Sequence, residues 1–123
     1  MEHTNDFIEL CDSIKPQINE VSIDEAEDLL HAIVPPTLID VRDADEFVTG
    51  HLPNAKHISK GWIEAKINTA VPNKDTPVIL YCGGGNRSAL AAFNLQKMGY
   101  KHIMSMAGGF KAWKNADKNV AQP

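Results

Sequence analysis

A parallel β-sheet covered by helices on both faces is the fold class this sequence predicts, and three observations carry the prediction. Short β-rich runs alternate with segments of helical hydrophobic period along most of the chain, the pattern of an α/β domain. Residues 78–81 (VILY) form an unbroken apolar run, suited to a strand buried on both faces. That run leads through a glycine-rich stretch into an alanine-rich helical segment, and in open parallel sheets ligands sit beyond the carboxyl ends of the strands. The 123 residues leave room for one domain, and a 43% apolar content suffices for a core.

The elements follow in order. Phe7, Leu10, Cys11, Ile14 and Ile18 recur at helical spacing, and Pro16 predicts the end of a regular helix near Ile14. Ser22-Ile23-Asp24-Glu25 is a capping box. The helix it opens carries Ile23, Ala26, Leu29, Leu30 and Ile33 on one face until Pro35-Pro36 stops it. Residues 37–41 (TLIDV) are a short β-rich run. Asp43-Ala44-Asp45-Glu46 repeats the capping-box pattern and starts a brief helix ending at Gly50. Residues 55–58 are a weak strand, residues 62–70 a helix and residues 72–77 a polar connection. Beyond the glycine-rich stretch, a helix runs from Ser88 to Met98 and Gly99 stops it. Residues 102–106 are the last strand, Gly108-Gly109 a turn and residues 110–115 the closing helix.

Charge and cysteine usage narrow the function classes. There is no run of eighteen apolar residues, so no membrane span is expected. Asp6 and Glu9 interrupt what a secretory signal would need at the start. Two cysteines, Cys11 and Cys82, make no disulfide framework, and both are expected as reduced thiols in the cytoplasm. The net charge is −4, yet residues 1–33 hold nine acidic residues against the single Lys15, while the remainder holds seven acidic and eleven basic ones. The acidic first part disfavours nucleic acid as a partner and the basic remainder suits a small anion. Scattered solvated charge is the plainer account of the same counts.

The chemistry concentrates in Cys82-Gly83-Gly84-Gly85-Asn86-Arg87-Ser88. A cysteine closing a buried strand just ahead of a helix N-terminus sits where unpaired backbone N–H groups gather. Three successive glycines let the loop curl so that its N–H groups converge on one point. Arg87 adds a permanent positive charge. Each effect favours a thiolate at Cys82, so no general base is required, and no histidine is close to Cys82 in sequence. A cysteine alone would read as a buried structural thiol; cysteine, triple glycine and arginine together at a strand-to-helix junction point to an anion-binding loop. Residues 83–88 lack the Gly-Lys-Ser/Thr ending of a phosphate-binding P-loop.

At this loop the sequence resembles the rhodanese superfamily. The resemblance runs through residues 38–55 (LIDVRDADEFVTGHLPNA), residues 81–100 (YCGGGNRSALAAFNLQKMGY) and residues 106–113 (MAGGFKAW), in the family's order and spacing. It implies a doubly wound α/β domain over residues 22–123, with residues 1–21 an added N-terminal helix outside it. Asn54 stands where the family commonly has glycine, so that turn is expected to differ slightly. The resemblance further implies a thiosulfate sulfurtransferase with Cys82 as the catalytic nucleophile. Cys82 would take a sulfane sulfur from a small anionic donor such as thiosulfate, release sulfite, and pass the sulfur from a persulfide to cyanide, a thiol or a protein. The amides of Gly83, Gly84, Gly85, Asn86, Arg87 and Ser88 would hold the persulfide charge. No cofactor and no metal enters this cycle.

Arg87 has two roles open to it, orienting the incoming anion or bracing the loop through a carboxylate. Asp40, Arg42 and Glu46 occupy the family's positions and read as a structural polar network. His51 reads as a satisfied turn residue, because nothing in the mechanism needs a base. Trp62 and Trp113 read as core rather than pocket lining, and Cys11 as a packed thiol rather than a resolving one. Two other function classes compete. Phosphatases and arsenate reductases use related loops with five residues between cysteine and arginine to encircle a tetrahedral oxyanion, whereas four separate Cys82 from Arg87. A sulfur-relay or regulatory binding module without thiosulfate turnover is the other; the open glycine loop argues against a dead site but not against relay.

Overall fold

Five strands form one sheet in which every pairing is parallel: β1 (Asn19–Val21), β2 (Thr37–Asp40), β3 (Lys56–His57), β4 (Val78–Tyr81) and β5 (Ile103–Met106), in the order β1-β5-β4-β2-β3. Six helices alternate with them: α1 (Asn5–Ile14), α2 (Ile23–Leu30), α3 (Ala44–Thr49), α4 (Ile63–Ala70), α5 (Asn86–Lys97) and α6 (Gly109–Asn115). The structure, a computed structural model, describes residues 3–122. Met1, Glu2 and Pro123, which the expected ranges 1–21 and 22–123 include, lie outside the described residues.

Side chains alternate across a strand, so each apolar run feeds two cores. Ile39, Val78 and Leu80 face one way and pack with Ile63 and Ile67 of α4 and Ala91, Ala92 and Leu95 of α5. Leu38, Ile79 and Tyr81 face the other way and pack with Ala26 of α2, Leu52 and Trp113 of α6. All four residues of β4 are buried, as a central strand covered on both faces requires. From β2 the chain moves outward to β3, and from β4 it moves the opposite way to β5. The topological switch point therefore lies between the carboxyl ends of β2 and β4, where open α/β sheets place their ligands.

Local signals held where they were strong. Ser22 and Glu25 complete their reciprocal capping box at 3.0 and 2.8 Å. Helix α1 ends at Ile14, ahead of Pro16, and buries Cys11 and Ile14 on one side. Leu10, expected on that stripe, is half exposed. Asn54 adopts φ +67°, the left-handed backbone glycine would favour, which asparagine tolerates better than most residues. The departure from the family pattern thus leaves the turn's conformation accessible.

Three readings need correction. Helix α2 ends at Leu30 rather than continuing to the proline pair, and Ile33 is fully exposed beyond it. The chain must turn back toward β2, and a residue ahead of proline resists the helical region, so the helical period outlasts the helix. Trp62 is 60% exposed, standing over the Lys66 ammonium at 5.4 Å and belonging to neither core nor pocket. Trp113 is core as expected, its Nε1 donating to the Asn119 carbonyl at 2.7 Å. Finally, residues 19–21 were not expected as a strand, yet β1 pairs with β5 at the sheet edge. Three residues of mixed polarity carry too little period to announce a strand.

Candidate active site

Cys82 follows β4 directly and is 1% exposed. Its Sγ accepts hydrogen bonds from the Gly85 amide at 3.1 Å and the Ser88 amide at 3.4 Å. Ser88 is the third residue of α5, so the sulfur occupies the place of an N-cap oxygen. Ser88 Oγ lies 3.5 Å from Sγ and shares a 2.8 Å hydrogen bond with Ser105 Oγ of β5. Both serines are fully buried.

Helix α5 begins at Asn86, two residues earlier than its alanine-rich period indicates. Arg87 and Ser88 therefore belong to its first turn rather than to a free loop. Of the three glycines only Gly85 needs its freedom: its φ is +104°, and a Cβ there would meet the Gly108 amide nitrogen at 3.2 Å. A Cβ on Gly83 would lie 3.1 Å from Arg87 Nη2, and one on Gly84 would meet nothing. The expectation that all three supply unusual dihedrals is corrected accordingly.

Two elements distant in sequence hold this turn. The Phe110 and Lys111 amides at the start of α6 donate to the Cys82 and Gly83 carbonyls at 2.8 and 3.0 Å. Gly109, at φ +57°, makes that approach feasible, since a Cβ there would lie 2.5 Å from the Cys82 carbonyl oxygen. On the other side Arg87 forms a fork with Glu46, Nη1 to Oε1 at 2.8 Å and Nη2 to Oε2 at 3.2 Å. Of the two roles open to Arg87, bracing through a carboxylate is the one seen. The fork holds the Glu46 carboxyl below its ordinary range and raises Arg87 further against the opposing effect of burial. Glu46 Oε1 also accepts from the Asp43 amide at 3.2 Å, so one carboxylate both caps α3 and braces the cysteine turn.

The expected polar network divides in two. Arg42, 4% exposed, forks onto fully buried Asp40, with Nη2 to Oδ2 at 2.7 Å, and donates to the Gly50 carbonyl. Burial works against the Arg42 charge, and Asp40 more than offsets it. The guanidinium also stacks 4.2 Å over the Phe110 ring. Glu46 belongs instead with Arg87. Tyr81, whose Oη accepts from the Leu52 amide at 3.0 Å, is pushed well up by burial and by Asp40. His51 contacts the Leu52 carbonyl through Nδ1 at 2.8 Å and stacks on Phe47, a turn residue as read.

A cavity of about 430 Å³ opens over the sulfur, lined by Cys82, Gly83, Gly84, Asn86 and Arg87 together with Arg42, Glu46, Phe110, Lys111 and His3. Of the amides expected around Cys82, those of Gly85 and Ser88 meet the sulfur; the sequence reading missed the parts of Gly109, Lys111, Ser105 and His3. The GGF segment was the one available signal, read as a turn and as part of the family's closing motif, with no contact to the cysteine turn assigned to it. Cys11 is fully buried beneath α5, its Sγ 3.9 Å from the Asn86 carbonyl, and burial pushes its thiol up. Among the described residues no cluster of histidine, cysteine or carboxylate side chains could hold a metal ion, and no helix is long and apolar enough to cross a membrane.

Known proteins resemble this chain in sequence and in fold. Thiosulfate sulfurtransferase GlpE of Coxiella burnetii is 36% identical over 77 residues, which are 63% of this chain and 70% of that one. The polysulfide-sulfur transferase homodimer of Wolinella succinogenes superposes with a TM-score of 0.81 at 30% identity, over 96% of this chain and 88% of that one. A protein of unknown function from Rhodopseudomonas palustris, described as a possible tyrosine phosphatase, superposes with a TM-score of 0.85 at 27% identity over 98% of both chains. The sequence pattern of the rhodanese-like domain matches residues 22–116. With the parallel sheet, the cysteine turn and these relatives in agreement, the chain belongs to the rhodanese-like domain family, a family of sulfurtransferases.

Proposed function

We propose that this protein is a sulfurtransferase that carries sulfur as a Cys82 persulfide, with thiosulfate or a similar anion as donor. The observation that supports this most is the placement of Sγ in the lining of an open cavity, where it accepts from the Gly85 and Ser88 amides. In the first step the Cys82 thiolate attacks the outer sulfur of thiosulfate. The donor's S–S bond breaks, its electron pair leaves on sulfite, and a Cys82 persulfide anion remains. In the second step the acceptor attacks the terminal sulfur: cyanide leaves as thiocyanate, or a thiol or protein cysteine leaves as a persulfide, and the thiolate returns. With Cys82 as the thiolate, the first step moves no proton, and amide dipoles around the sulfur anion supply the stabilisation.

The test is mass spectrometry after thiosulfate exposure. One sulfur, about 32 Da on the thiolate, should map to Cys82 and not to Cys11, which is fully buried and whose thiol burial pushes up. Cyanide should then remove the sulfur as thiocyanate. An adduct that persists in Cys82→Ser, or none in the parent protein, contradicts the reading. Its likeness to a protein described as a possible tyrosine phosphatase makes a second assay informative. Hydrolysis of an aryl phosphate that disappears in Cys82→Ser, without thiocyanate formation, would favour phosphoryl transfer, although only four residues separate Cys82 from Arg87.

A further inference from the structure

Four residues able to carry positive charge line the cavity, and two of them are already committed. Arg42 is forked onto Asp40 and Arg87 onto Glu46. Their charges are largely answered by carboxylates, so neither leaves a full positive charge to an incoming anion. His3 packs its ring against Phe7 with centroids 5.0 Å apart. Lys111 differs from all three. It is exposed and, among the described residues, makes no ion pair and no side-chain hydrogen bond. Its backbone is nevertheless fixed to the cysteine turn, because its amide donates to the Gly83 carbonyl at 3.0 Å. A lysine anchored at the backbone and, among the described residues, unpaired at the ammonium can follow anions of different size as a point charge.

Resting on the proposed sulfur chemistry, we propose that Lys111 determines the cavity's preference for anionic donors, and dianions above monoanions. A Coulomb interaction is linear in the ligand's charge. Removing one positive charge should therefore change the logarithm of the rate about twice as much for a dianion as for a monoanion. The glycines beside Cys82 have no side chain with which to make that distinction.

The experiment compares the parent protein with Lys111→Gln and Lys111→Arg. Cys82 alkylation is measured with iodoacetate, an anion, and with iodoacetamide, its neutral counterpart, at pH 8 and low salt, with the modified cysteine mapped. In Lys111→Gln the iodoacetate-to-iodoacetamide rate ratio should fall roughly 3-fold and kcat/KM for thiosulfate about 10-fold, the loss appearing in KM. Lys111→Arg should restore both. About 1 M salt should erase the difference in alkylation ratio between parent and Lys111→Gln, since screening acts over a few ångströms there. An unchanged ratio in Lys111→Gln overturns the proposal, as does an equal fall for both alkylating agents. The alkylation ratio requires no turnover. If the parent protein transfers no sulfur, the proposed function fails while the ratio still decides the role of Lys111.

Discussion

Gly83, Gly84 and Gly85 look interchangeable in sequence and are not so in space. Only Gly85 sits in the left-handed region, against the Gly108 amide, whereas a methyl group on Gly84 would enter open space. Gly85→Ala should cost at least the 1–2 kcal/mol, roughly, that such a backbone imposes on an L-residue. Gly84→Ala should fall within about 0.5 kcal/mol of the parent, as surface substitutions do. Urea midpoints of the two variants, measured side by side, check the difference. Equal losses would show that the turn has a different shape. The same distinction explains why the pattern Cys-Gly-Gly-Gly was informative and incomplete. It announces a turn that needs glycine somewhere, but the position that needs it depends on Gly108, which approaches from another element.

Elements supply what the residues of the turn cannot. Helix α3 lends Glu46, α6 lends two amides, and β5 lends Ser105. The Glu46 fork has a readable pH signature. Its carboxyl lies below the ordinary glutamate range in the folded protein, so the stability it contributes is complete above that range. It is lost as pH falls through the lower, folded-state value. Glu46→Gln lacks this titration. Denaturant midpoints from pH 7 to pH 3 should therefore fall less steeply below about pH 4.3 in the variant, and parallel curves would remove the fork from the stability of the turn. Sequence reading found β4, α5 and the capping box of Ser22 because each is written in adjacent residues. It could not find the Glu46–Arg87 fork, whose partners are 41 positions apart, nor Ser105, a lone polar residue in a short strand. β1 escaped for a related reason, since its pairing with β5 spans most of the chain.

At the scale of the molecule, the two cores are both built largely from residues after position 22. Residues 3–21 add α1, which packs on α5 and buries Cys11 and Ile14, and the edge strand β1. We propose that residues 22–123 fold as the domain and residues 1–21 clamp it. A chain lacking residues 1–17 should therefore unfold in one cooperative transition at a lower Tm than the parent, with Cys82 still open to alkylation. Loss of a cooperative transition would mean that the N-terminal segment belongs to the folding unit itself.

The grip of α6 on two carbonyls also sets the polarity of the peptide planes beside Cys82. Every peptide bond among the described residues is trans, and in a trans unit C=O and N–H point opposite ways. With the Cys82 and Gly83 carbonyls turned to α6, the N–H groups of Gly83 and Gly84 are turned away from it. The turn thus behaves as a rectifier, with donors on one side and acceptors held behind. On the proposed cycle, a sulfur atom arriving at Sγ meets dipoles already oriented, and its barrier contains no contribution from flipping a peptide.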